Sequence, residues 1–173
     1  MRLPRGFTLI ELMVAVAIVA ILASIAAPNF QTLVNSNRLA TQANDLIAEL
    51  ALARSEAAKS GGSATVCVSS NGTSCTGGTD WSVGRIVFTD SSPYGSVDGT
   101  DVILRKSAAL AGGNTLVSTW ATGHLRYLGS GVSKLTGSAN TFTLCHSGSK
   151  SKVVRVSVTG RVYLDETASS TCP

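Results

Sequence analysis

Glu11 is the side chain whose position most plainly demands chemistry. It is the only ionisable residue between Phe7 and Ala27, a run of 21 residues that is otherwise uncharged and largely apolar. A carboxylate near the centre of a bilayer costs about 2.5–3.5 kcal/mol; Glu11 sits near one end of the run, where the cost is smaller, yet an acid retained there still calls for a cationic partner. Cys67, Cys75, Cys145 and Cys172 offer a second chemistry, as disulfides or as metal ligands. Lys150, Lys152, Arg155 and Arg161 offer a third, a basic face that could hold phosphates or simply be solvated. Catalysis finds little support. His124 and His146 lie in strand-like runs, and Asp98-Gly99 reads as a turn. There is no G-x-S-x-G elbow, no phosphate loop and no dinucleotide fingerprint. No catalytic residue, metal or cofactor is expected, and the chain is not expected to be an enzyme.

The elements that position these residues follow from periodicity. As a helix, residues 7–27 span about 31 Å, the thickness of a bilayer core. Arg2 and Arg5 precede the run and are expected to stay on the cytoplasmic side. A secretory signal peptide is the rival, but its small-residue site, Ala26-Ala27, is followed by Pro28, an awkward neighbour for a signal peptidase. Pro28 is expected to kink the helix rather than end it. Beyond it Phe30, Leu33, Leu39, Ala43, Leu46, Ile47, Leu50, Ala53 and Ala57 recur at helical spacing. Asn37, Arg38, Gln42, Asp45, Glu49 and Glu56 form a polar face expected to be wetted. Gly61-Gly62 ends the pattern. A helix from Phe7 to about Ser60 is about 80 Å long.

From Ala64 the period falls to two. Strands are expected at Thr65–Ser69, Val83–Thr89, Val102–Arg105, Thr115–Thr119, Leu125–Leu128, Thr141–His146, Val153–Val158 and Arg161–Leu164. Turn clusters separate them, among them Ser70-Asn71-Gly72, Gly112-Gly113-Asn114 and Thr159-Gly160. Asn71-Gly72-Thr73 fits a glycosylation sequon but reads here as a loop. The fold class is therefore α+β: a long N-terminal helix, transmembrane in its first half, packed on antiparallel sheets. No internal repeat or long linker divides the β region, so 28–173 reads as the helix continuation plus one globular head. Charge is uneven along it. Positions 29–119 carry six basic and seven acidic residues, 120–173 six basic and two acidic.

Arg5-Gly6-Phe7-Thr8-Leu9-Ile10-Glu11-Leu12-Met13 resembles the class III prepilin motif of type IV pilins and type II secretion pseudopilins. The resemblance implies a leader at 1–6 that prepilin peptidase removes between Gly6 and Phe7, and N-methylation of Phe7. It also implies that Glu11 pairs with the terminal amine of a neighbouring subunit during assembly. Further patches are similar to the FimT/GspH branch of minor pilins: Leu50-Ala51-Leu52-Ala53-Arg54-Ser55-Glu56-Ala57, Trp81 with Gly84-Arg85-Ile86-Val87-Phe88, Phe142-Thr143-Leu144-Cys145 and Val156-Ser157-Val158-Thr159-Gly160-Arg161. The resemblance implies a pilin-like fold in the bacterial inner membrane, a head in the periplasm that reaches a pilus tip after assembly, and other pilins or pseudopilins as partners through the N-terminal helix.

In the oxidising compartment this implies, disulfides are expected. There is no C-x-x-C spacing, and His146 beside Cys145 would point to the opposite strand face, so a metal is not. Of three pairings, the one expected joins Cys67 to Cys75, closing a Gly/Ser-rich loop, and Cys145 to Cys172, tying down the tail. Loops of these lengths are worth about 2.6 and about 3.6 kcal/mol in chain entropy. Two functions remain open: a minor subunit that initiates or primes a pilus or pseudopilus, and a pilus-tip protein that binds DNA for uptake. The resemblance implies the second only for FimT-like members with a G-R-x-R element. Here that element is Gly160-Arg161-Val162-Tyr163, with Tyr163 in place of the second arginine.

Overall fold

The computed structural model describes residues 6–135 and 140–172, apart from the side chains at 28 and 29. The leader charges Arg2 and Arg5 and the ring of Pro28, with the kink expected of it, lie outside the described residues. One helix, α1 (Leu9–Ser60), runs through position 28 without a break in its assignment. Thr8 starts it: its side-chain oxygen accepts the amide of Glu11, and its carbonyl accepts the amide of Leu12. Thr8-Leu9-Ile10-Glu11 thus has the spacing of a capping box, with the acid in the first turn where the helix dipole favours it. Gly61, in the left-handed region, ends the helix.

Among the described residues eight strands follow: β1 (Ser63–Val68), β2 (Arg85–Thr89), β3 (Ile103–Ser107), β4 (Thr115–Ser118), β5 (His124–Leu128), β6 (Thr141–Cys145), β7 (Lys152–Val156) and β8 (Val162–Asp165). All ladders between them are antiparallel. They form two sheets, ordered β3-β2-β1-β5 and β4-β6-β7-β8. Each expected strand has an observed counterpart shifted by a few residues at its ends. Arg161 is a correction: it lies outside β8, in the turn that leads into it, because Gly160 breaks the extended run.

The chain forms two compact units, up to Asn35 and from Ser36 onward. Within the second, Leu39, Ala43, Leu46, Leu50, Ala53 and Ala57 form one buried stripe of α1. They pack with Val66 and Leu125 of the first sheet, Leu116, Phe142, Leu144 and Val154 of the second, and Trp81 and Trp120. The two indoles and Phe142 meet edge-on, with ring centroids 4.7–6.0 Å apart. Alternation along β5 and β6 sends one face of each strand into this core, to which β7 adds Val154 and Val156. A smaller cluster of Cys67, Ile86 and Phe88 lies apart from it, flanked by Cys75, Val97 and Ile103.

The polar face expected of the helix needs a correction. Asn37 and Asp45 are exposed, but Gln42 and Glu49 are buried. Two sheets wrap a wider arc of the helix than an amphipathic stripe reveals, so polar residues beside the stripe are enclosed and must find partners.

Candidate functional site

The first unit holds the residues expected to act in assembly. A side chain at Gly6 would meet nothing within 4 Å, and the Phe7 ring is 85% exposed. From Leu9 to Ile25 the large apolar side chains of α1 are likewise exposed. This helix is long and apolar enough to cross a membrane by length and composition. Its exposed surface matches a segment whose natural surroundings are lipid or other helices rather than this chain's own core. Glu11 stands in the first turn, five residues after Gly6.

The cysteines pair as Cys67–Cys75 and Cys145–Cys172, with Cα atoms 5.6 and 5.5 Å apart. The first closes the loop that leaves β1. The second holds the tail, which is also laced to the chain ahead of β7: Cys172 N donates to Ser149 O, and Ser151 N to Ser170 O. Among the described residues, no group of three His, Cys, Asp or Glu side chains is placed to hold a metal.

Both histidines are occupied in fastening loops. His124 Nδ1 lies 3.1 Å from Thr122 O, and only the protonated nitrogen can bond there. His146 follows the end of β6, and its Nδ1 lies 2.7 Å from Asn114 Oδ1. Asn114 Nδ2 in turn donates to Gln42 Oε1, and Gln42 Nε2 to Ala111 O. This relay explains how Gln42 can be buried.

The four basic residues read as possible phosphate contacts are spread along β7 and its two ends. Lys150 precedes β7, Lys152 opens it, and Arg161 is exposed in the turn beyond its far end. The Arg161 guanidinium lies 5.9 Å from the Tyr163 ring centre. Arg155 is committed elsewhere: its Nε donates to Asp165 Oδ2. Hydrogen bonds from Thr167 and Arg155 lower the Asp165 pKa from 3.8 to about 2. A depressed acid stabilises the fold above its unfolded pKa and loses that contribution as pH falls through the folded value. Asp165→Asn is therefore expected to melt below wild type above about pH 4 and to converge with it toward about pH 2. Thermal melts across that range check the sign.

Sequence reasoning missed a buried ion pair. Arg85 donates Nε and Nη2 to Glu49 at 2.6 and 3.0 Å and Nη1 to Trp81 O at 3.1 Å. Ser107 adds its hydroxyl to Glu49 at 2.7 Å. The two charged side chains are 3% and 1% exposed. The network fastens α1 to β2, β3 and the segment bearing Trp81. The signal available was Arg85 inside a strand of otherwise buried type, a position where a cation requires an anion.

A long helix, apolar and solitary in its acid at one end and sealed by antiparallel sheets at the other, defines the pilin class of structural subunits. The model of the prokaryotic N-terminal methylation motif matches residues 1–27, and that of the type II transport protein GspH matches residues 42–160. The chain belongs to the GspH family. Two crystal structures of the type IV minor pilin FimU from Pseudomonas aeruginosa strain PAO1 are each 25% identical to it. The one in space group P65 has a TM-score of 0.56 and covers 72% of this chain and 90% of FimU. The one in P21 has a TM-score of 0.61, covering 76% and 90%. No curated protein sequence matches the chain. Family and fold are those of structural pilin subunits, not of enzymes.

Proposed function

We propose that this protein is a minor subunit that initiates or primes assembly of a type IV pilus or type II secretion pseudopilus. Before assembly it is held in the inner membrane by α1, with its head in the periplasm. Prepilin peptidase cleaves between Gly6 and Phe7 and Phe7 is methylated, which frees an amine beside a second subunit's Glu11. The observation that carries this reading is the exposed apolar length of α1 with one carboxylate in its first turn. Such an acid is costly in a membrane unless a cation pairs with it, and a neighbouring subunit's terminal amine would supply one. The other reading, DNA capture for uptake, draws on Lys150, Lys152 and Arg161 but loses Arg155 to Asp165.

Intact mass and pull-down test the proposal together. Wild type should begin at methylated Phe7, and Gly6→Val should remain uncleaved. Glu11→Val should be processed and inserted, since a charge has left the bilayer, yet be recovered with other subunits at a small fraction of the wild-type level. A mature terminus after Ala27, or equal recovery of Glu11→Val, would overturn it.

A further inference from the structure

Asn71-Gly72 is the one Asn-Gly pair in the chain, and it sits in the loop closed by Cys67–Cys75. Asn71 is exposed to solvent. In such a pair the backbone nitrogen of the glycine can attack the asparagine side-chain carbon. Glycine offers least steric hindrance to that approach. The nitrogen must first give up its proton.

Here the three atoms that would react are held: the side-chain oxygen and nitrogen of Asn71 and the backbone nitrogen of Gly72. Asn71 Oδ1 accepts the backbone amides of Thr73 and Ser74 at 2.9 and 3.0 Å. Its Nδ2 donates to Ser74 Oγ at 2.9 Å. Gly72 N donates to Ser69 Oγ at 3.0 Å, and the same hydroxyl donates to Asn71 Oδ1 at 3.2 Å. The two backbone donors on Oδ1 have the arrangement that stabilises an oxyanion, so they prepare the carbonyl for addition. Ser69, itself buried, restrains the nucleophile.

We propose that Asn71 is a latent self-modification site, primed for deamidation by the amides of Thr73 and Ser74 and latched by the Ser69 hydroxyl. On release, Gly72 N forms a bond to Asn71 Cγ and the Cγ–Nδ2 bond breaks. The proton from Gly72 N leaves with Nδ2 as ammonia. Water then opens the cyclic imide at either carbonyl, giving aspartate or isoaspartate. The product places a new negative charge on an exposed loop, and its isoaspartate form lengthens the backbone there.

The test follows the full chain in detergent micelles at neutral pH, with peptide mapping for the amide-to-acid mass gain at Asn71. Wild type should convert far more slowly than the same chain reduced and unfolded in guanidinium. Ser69→Ala, kept folded, should convert about tenfold faster than wild type, the rate equivalent of freeing the Gly72 amide from its hydrogen bond, while the amides of Thr73 and Ser74 remain on Asn71 Oδ1. Amide exchange at Gly72 reports the latch independently of any variant: it should be protected in wild type. Wild-type conversion as fast as in the unfolded chain, an unchanged or slower rate in folded Ser69→Ala, or an unprotected Gly72 amide would each overturn the proposal.

Discussion

Arg85→Ala should lower the stability of the head by about 3–5 kcal/mol, the usual consequence of stranding a buried charge. The reason lies in what remains. Glu49 would keep the Ser107 hydroxyl but lose both guanidinium bonds, in a position 1% exposed. It must then ionise without a counter-ion or take up a proton, and either costs stability at neutral pH. For a domain of this size each kcal/mol moves the midpoint by about 2–4 °C, so the full chain should melt roughly 10 °C lower. Replacing both partners, as Glu49→Leu with Arg85→Met, should recover much of the loss, because the desolvation of two charges is then avoided. A loss below about 1 kcal/mol for Arg85→Ala would show that water reaches the pair, since that is the range of an exposed salt bridge.

Gly160→Ala should be nearly as damaging, for a reason of space. Gly160 has φ +80°, and a Cβ there would stand 2.0 Å from Gly131 O and 3.2 Å from the Tyr127 ring. Gly131 O is also the acceptor for Arg54 Nε at 3.0 Å, and Arg54 Nη2 donates to Thr159 O at 3.1 Å. The methyl group would therefore push apart the loop after β5, the β7–β8 turn and the α1 side chain that ties them. Left-handed strain and overpacking together are expected to cost about 2–5 kcal/mol. Gly148→Ala provides the control. It has φ +74° but nothing within 4 Å of the added carbon, so only the strain, about 1–2 kcal/mol, should appear. Equal melting temperatures for the two variants would show that the Gly131 contact does not govern the loss. Arg161 follows Gly160 directly, so the same turn sets where that exposed cation is displayed.

The sequence by itself determined what is local or repeated. An unbroken apolar run with one acid specifies a helix able to span a bilayer, since no other backbone satisfies its own hydrogen bonds there. Alternating Val, Thr and aromatic residues specified strands, and the Gly-rich turns between them limited where each could end. The leader motif was legible because it lies on one contiguous stretch of chain, residue by residue.

Only the tertiary structure decided which distant residues meet. β1 pairs with β2 on one side and with β5 on the other, an order that depends on which apolar faces can be sealed together rather than on any strand's own composition. Glu49 reads as a wetted helix residue until two sheets enclose it, and its partner lies 36 positions away. Arg155 reads as a free cation until β8 folds beside β7 and brings Asp165 to it. In each case the deciding quantity is desolvation. A charge has the same sequence signature wet or dry, and it acquires a partner only when packing takes its water away.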